Sequence, residues 1–187
     1  MIESWWYSGA WVLLVAVWVV GALGTKQTAH SEPVRRRAIH MFLMLLAGWL
    51  FFITRGPDLL RQRVVPDTRL VFVIGAAITW LGLGFAIWAR LTLGRNWSGF
   101  VEVKQGHRLV IQGPYRLARH PIYTGVLLAL AGTAGGTGEL RCVLAVPLAF
   151  AGLWIKSRHE EEFMGLQFGA EYARYQATVK AIIPGLL

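Results

Sequence analysis

From Leu70 to Leu91 the chain reads LVFVIGAAITWLGLGFAIWARL. A helix rises ~1.5 Å per residue, so a run of this length spans the roughly 30 Å hydrocarbon thickness of a bilayer. No water is available there, and every backbone polar group must be satisfied within the segment, which makes a helix the form such a run takes. Four other apolar segments accompany it: about Trp5 to Gly24; AIHMFLMLLAGWLFFI; a run starting at Pro121 and closing in the Gly-rich GTAGGTGEL; and CVLAVPLAFAGLWI. The second and the last are short for a span, a deficit that flanking residues, tilt or thinner lipid accommodate. The expectation is an all-α integral membrane helical bundle of about five transmembrane helices plus a C-terminal amphipathic helix. The Gly-rich turn makes the fourth and fifth spans a tight hairpin.

Composition agrees. Apolar residues make up 55% of the 187, mean hydropathy is +0.48, and there are nine tryptophans. A soluble domain of this size has no interior large enough for so much apolar surface. The net charge of +9 gathers in the connections between apolar runs, which is how membrane proteins set orientation; no nucleic-acid partner is expected. RRR at 35–37 marks the first loop as cytoplasmic, and five crossings return the basic 92–120 loop and the C-terminal tail to that side. The 54–69 loop, with four arginines against two aspartates, falls on the far side. The expected topology is N-terminus out, C-terminus in. Cys142 is the sole cysteine, so neither an internal disulfide nor a thiolate metal cluster can form, and no metal is expected. The first segment has no basic region before it and no clear small-residue cleavage site, and reads as a retained span.

One stretch resists a purely topological reading: GPYRLARHPIYTG, 113–125. Proline suits the first helical position, where its missing N–H is not needed. That makes His120 the expected N-cap, with Pro121 at the first position and Ile122, Tyr123 and Thr124 in the first turn. The start of such a helix presents backbone N–H groups and a partial positive charge, which suits a carboxylate or phosphate. His120 and Tyr123, three apart, share a face, and Gly125 admits a close neighbour. Arg116, Arg119 and His120 taken singly are ordinary orientation-setting residues.

A second cluster, KSRHEEEF, follows the fifth span. Lys156–Glu160 and Arg158–Glu162 have the spacing of exposed helix ion pairs, worth about half a kcal/mol each. Three consecutive glutamates beside an anionic membrane surface call for another reason, and carboxylates there can grip an ammonium or ribose hydroxyls. A zwitterion clamped between His120 and this cluster fits an amino-acid-bearing nucleotide, provided the two segments wall one cleft. Further on, Phe163, Leu166, Tyr172, Tyr175 and Val179 are spaced for one side of an interfacial helix interrupted near Gly169. The third piece, LGRNWSGFVEVKQGHRLVIQGPY, offers Asn96 and Ser98 and is long enough for a functional lid or binding loop.

In the order LGRNWS, GHRLV…GPYRLARHPIYTG, KSRHEE…FGAEYARY…IP, these blocks resemble the isoprenylcysteine carboxyl methyltransferase family, membrane enzymes related to phospholipid N-methyltransferases. The resemblance covers roughly residues 90–184. It implies S-adenosylmethionine as methyl donor, bound by positions matching His107, Arg108, Leu109, Val110, Tyr115, His120, Pro121, Ile122, Tyr123 and Glu160, with Glu161 beside it. Where eukaryotic members place a substrate arginine, this chain has Lys156, which keeps the charge but loses the planar fork. The whole of 1–187 is then one membrane domain, residues 1–69 supplying two spans and 70–187 the catalytic part.

The reaction implied is in-line methyl transfer to a lipophilic acceptor entering from the bilayer, the protein's task being positioning and exclusion of water. A carboxylate acceptor of isoprenylcysteine type needs no base, only a cation: Lys156, Arg158 or Arg119, with Asn96 on the head group. An amine acceptor, such as a phospholipid, needs proton removal, by Glu161, Glu162 or His107. Two rivals stand in other classes. One is an NADPH-dependent membrane reductase, since sterol-type reductases carry similar RHPxY strings; the other is a non-catalytic scaffold.

Overall fold

Helices α4 (Arg69–Leu93) and α5 (Pro121–Thr137) lie against one another at backbone distance. A Cβ placed on Gly82 would stand 2.5 Å from the nitrogen of Ala129, and one on Gly132 would stand 2.6 Å from the nitrogen of Thr79. Small residues permit that approach, and it is the usual means of associating helices where lipid supplies no hydrophobic drive. At the centre of the contact the hydroxyls of Thr79 and Thr133 meet at 3.0 Å, each turned back toward a carbonyl of its own helix.

The computed structural model describes residues 4–22, 28–31, 34–53, 56–94, 97, 102–104 and 109–186. Its order is α1 (Ser4–Ala22), β1 (Thr28–Ser31), α2 (Val34–Phe52), α3 (Asp58–Arg61), α4, β2 (Glu102–Lys104), a 3-10 turn over Gly113–Arg116, α5, α6 (Leu140–Phe168) and α7 (Ala170–Thr178). The architecture is helical, as expected. The exception is a small antiparallel ribbon, β1 with β2, joining the loop after α1 to the loop after α4.

Two cores hold the bundle. Ala10 and Leu14 of α1 pack on Leu83 and Ala129, filling the groove beside the α4–α5 contact. Ala47, Leu50 and Phe51 of α2 pack on Cys142, Ala145 and Ala149 of α6 and on Leu130 and Ala134 of α5. Arg90, buried in the last turn of α4, donates to the carbonyls of Gly94 and Gly21, at 2.9 and 2.6 Å, and lies over the Trp97 ring. Its charge thereby sits at the negative ends of α4 and α1. Outward, Val20, Leu45, Leu81 and Leu91 are exposed, an apolar exterior that lipid covers. Among the described residues, Arg69–Leu93 and Leu140–Phe168 are long and apolar enough to cross a bilayer; Trp5–Gly21 is a shorter apolar helix.

Two expectations change in detail. The acidic cluster is no separate turn after the fifth span: α6 runs unbroken through it, with Pro147 tolerated in its interior. The C-terminal helix is shorter than the spacing implied. Gly169, at φ 49°, ends α6 and turns the chain into α7, so Phe163 and Leu166 belong to one helix and Tyr172 and Tyr175 to the next. Tyr172 and Tyr175 face inward, buried, while Leu166 is exposed.

Candidate active site

The apolar part of α6 ends at Ile155, and the next two turns carry Lys156 to Glu162 alongside the start of α5. Helix α5 begins at Pro121 with His120 as N-cap, as its sequence predicts. The segment before it is pinned from the C-terminal side: Arg119 and His120 donate their backbone N–H groups to Lys180 and Ala181, each at 2.8 Å, and Thr124 donates its hydroxyl to Ile182. The short strap after α7 therefore fixes where helix α5 starts.

On this frame the two polar clusters meet side chain to side chain. His120 stacks on Tyr123 at 5.4 Å between ring centres, one turn apart on one face. Its Nδ1 faces Glu160 Oε2 at 3.3 Å and its Nε2 faces Glu161 Oε1 at 3.2 Å. Both ring nitrogens can donate only in the imidazolium form. Burial alone would lower the His120 pKa; hydrogen bonds and charge from both glutamates outweigh it and hold the value above ordinary. For Glu160, burial pushes upward, but the His120 hydrogen bond and Lys156 charge prevail and its pKa is lowered. Glu161 behaves likewise, with Arg119 added to His120. Each shift favours the charged form of its group.

Tyr123 donates to Glu160 Oε1 at 2.5 Å, and Lys156 Nζ is 3.9 Å from that same oxygen and 5.5 Å over the Tyr123 ring. Glu161 is the more buried carboxylate. Arg119 reaches its Oε1 through Nε and Nη2, at 2.8 and 2.6 Å, while Gln176 and Arg158 reach Oε2 at 3.3 and 3.4 Å. Arg119 also donates through Nη1 to the carbonyls of Gln176 and Val179. The expected Lys156–Glu160 pair is present. Arg158 instead pairs with Glu161, three residues on, and Glu162 meets Arg36 of α2 at 2.5 Å.

The remaining expected site residues divide. Tyr115 is buried, its hydroxyl 3.4 Å from the Ala89 carbonyl and its own carbonyl accepting from Tyr175 at 2.5 Å. Leu109 and Val110 are half-buried, Pro121 is buried and Ile122 half-buried, all leading into or out of the same turn. Asn96, His107 and Arg108 lie outside the described residues. Sequence reasoning missed Gln176, Tyr172 and Tyr175. The i, i+3 tyrosine spacing was the available signal, and it reads equally as an interfacial belt. Among the described residues no group of three His, Cys, Asp or Glu side chains is placed to hold a metal.

The residues present suit S-adenosylmethionine: a partly accessible carboxylate in Glu160 for an ammonium, and the Tyr123 and His120 rings for a flat base.

Residues 70–171 match the model of the phospholipid methyltransferase family. The chain is 32% identical to protein-S-isoprenylcysteine O-methyltransferase A of Arabidopsis thaliana, over 91% of this chain and 84% of that one. It is 33% identical over 57% of its length to a cobalt-zinc-cadmium resistance protein of Cupriavidus metallidurans, of which it covers 50%. In structure it resembles the eukaryotic intramembrane Ras methyltransferase, isoprenylcysteine carboxyl methyltransferase, with a TM-score of 0.56 and 25% identity, over 83% of this chain. It spans about half the length of these last two, 50% and 54%.

Proposed function

Because the chain belongs to the phospholipid methyltransferase family, we propose that it transfers a methyl group from S-adenosylmethionine to a lipophilic carboxylate of isoprenylcysteine type, giving a methyl ester. The observation that carries this reading is the bridging of Glu160 and Glu161 by His120, which joins the start of α5 to the polar extension of α6. S-adenosylmethionine supplies, when bound, a methyl group on a sulfonium sulfur. Glu160 takes the ammonium of that molecule, with His120 and Tyr123 fixing the carboxylate's direction. We assign Leu109, Val110, Tyr115, Pro121 and Ile122 to donor binding from their match to the family's motif, and His107 and Arg108 on the same sequence ground alone.

The charge states favour a carboxylate acceptor. An amine must lose a proton before it attacks, yet Glu160 and Glu161 are held as weak bases and His120 retains its own proton to higher pH than a free imidazole. A carboxylate is already nucleophilic and needs only a cation to hold it. Lys156 is our assignment for that cation, with Arg158 as the more exposed auxiliary and Asn96 on the head group. The Arg119 donors go to Glu161 and to the strap, so we assign it to positioning. We read five crossings, with the N-terminus out and the site toward the cytoplasm; the RRR run in the first turn of α2 and the basic segments flanking the site support that orientation. The acceptor enters sideways from the bilayer.

Calorimetric titration of the purified protein in detergent tests the donor. Heat is expected with S-adenosylmethionine, lost in Glu160→Gln. Tight NADPH binding without response to S-adenosylmethionine would refute the proposal in favour of a reductase.

A further inference from the structure

At the opposite end of the bundle, where α1 and α4 begin, α2 ends and α5 turns into α6, there is a cavity of about 370 Å³. It takes in Gly136 and Thr137 at the end of α5, so at ~1.5 Å per residue roughly 24 Å of helix separates it from His120. Nothing in the donor site reaches it.

Among the described residues its rim carries four charged side chains: Arg63, Asp67, Glu139 and Arg141. They pair within each wall, Arg63 with Asp67 at 3.2 Å and Arg141 with Glu139 at 2.6 Å. Arg141 uses Nε on Glu139 and Nη1 on the carbonyls of Leu50 and Phe51, and its Nη2 makes no hydrogen bond among the described residues. Five aromatic side chains, Tyr7, Trp11, Phe51, Phe52 and Phe72, line it as well, with small residues such as Ser8, Thr133 and Thr137 between them. Phe52 is exposed, continuing the aromatic wall onto the outside of the bundle. Trp5 and Trp6, stacked at 4.3 Å and exposed one turn or less before Tyr7, mark this end as the level of lipid headgroups.

Among the described residues two cations and two anions balance at this rim, which favours neither a simple anion nor a simple cation over distance. It matches a ligand carrying one charge of each sign. Aromatic faces add a second seat for an ammonium, and the exposed Phe52 gives a hydrocarbon chain a surface to follow. We propose that this cavity seats the headgroup of a zwitterionic aminophospholipid of the leaflet at this end of the bundle. Its phosphate lies on Arg63 and Arg141, its ammonium against Glu139, Asp67 and the aromatic wall, and its acyl chains over Phe52. The site is separate from methyl transfer and stands or falls without it.

Native mass spectrometry of the full chain in detergent tests this, using phosphatidylethanolamine, phosphatidylglycerol and diacylglycerol with identical acyl chains. Phosphatidylethanolamine is expected to stay bound under conditions that strip the other two. Loss of a charge-assisted hydrogen bond should weaken retention about tenfold in Arg63→Gln and at least as much in Arg141→Gln. Because Arg141 also holds the end of α2, Arg63→Gln is the decisive variant, and an unchanged melting temperature in detergent certifies its fold. Equal retention of phosphatidylglycerol or diacylglycerol, or undiminished phosphatidylethanolamine binding by Arg63→Gln, would overturn the proposal.

Discussion

His120 and Glu161 sit 3.2 Å apart, nitrogen to oxygen, and that oxygen is also the one Arg119 holds twice. A carboxylate so enclosed is a joint of the structure as much as part of a site. Glu161→Gln leaves two cations beside a neutral amide in a buried setting. Breaking a buried pair typically costs about 3–5 kcal/mol, so this variant should lower the melting temperature in detergent and reduce activity with it. Arg119→Lys should also destabilise, because a single ammonium nitrogen cannot span Glu161 and the Gln176 and Val179 carbonyls as the guanidinium fork does.

Glu160→Gln should behave differently. Its side chain is less buried and is not held by Arg119, so the melting temperature should fall less than in Glu161→Gln. Donor affinity should fall about tenfold or more, the worth of one charge-assisted hydrogen bond to an ammonium. Titration calorimetry beside a thermal scan separates the two glutamates.

The pH profile follows from the same groups. Raising the folded pKa of His120 gives stabilisation that is full below its ordinary value of about 6.5 and is lost as pH rises through the higher folded value. The lowered pKa values of Glu160 and Glu161 give stabilisation that is full above about 4.3 and lost as pH falls through the depressed values. Thermal stability in detergent should therefore form a plateau between those limits and decline on both sides. His120→Gln should flatten the alkaline limb.

Much of this was legible beforehand. Pro121 announced the start of α5, His120 its cap, and the His120–Tyr123 spacing their shared face, because these depend on local backbone chemistry. The partner of each charge was not local. Arg158 had two acceptors within reach along its own helix, and only the third dimension, with Arg36 arriving from α2 to take Glu162, decides between them. The strap over 179–182 was invisible for a related reason: its contribution is made through carbonyls of Val179, Lys180, Ala181 and Ile182, which carry no sequence signature. The α4–α5 seam stands between these cases. Gly75, Thr79 and Gly82 against Gly125, Ala129, Gly132 and Gly136 form a small-residue pattern that sequence could disclose, but only once the two helices are known to be partners.

That seam makes its own prediction. Gly132→Ala sets a methyl against backbone atoms of Gly75 and Thr79 at 2.8 Å or less, whereas Gly84→Ala meets nothing within 4 Å. Overpacking of this kind costs about 1–3 kcal/mol, so Gly132→Ala should lower the melting temperature clearly. Gly84→Ala should leave it unchanged or raise it slightly. Thermal scans of both in the same detergent provide the comparison.

Lys156 tests the acceptor. If it holds the acceptor carboxylate, Lys156→Gln should raise KM for a prenylated cysteine about tenfold while leaving S-adenosylmethionine affinity within a few-fold, and Lys156→Arg should restore it. Steady-state kinetics with each substrate varied in turn reads the difference.

The central claim is methyl transfer onto a carboxylate at the joint of α5 and α6. Its most direct test is incubation of the purified protein with methyl-labelled S-adenosylmethionine and a prenylated cysteine bearing a free carboxyl. The account predicts lipid-extractable label that mild base releases, and its loss in Glu160→Gln. Label that survives base, or label undiminished in that variant, would contradict it.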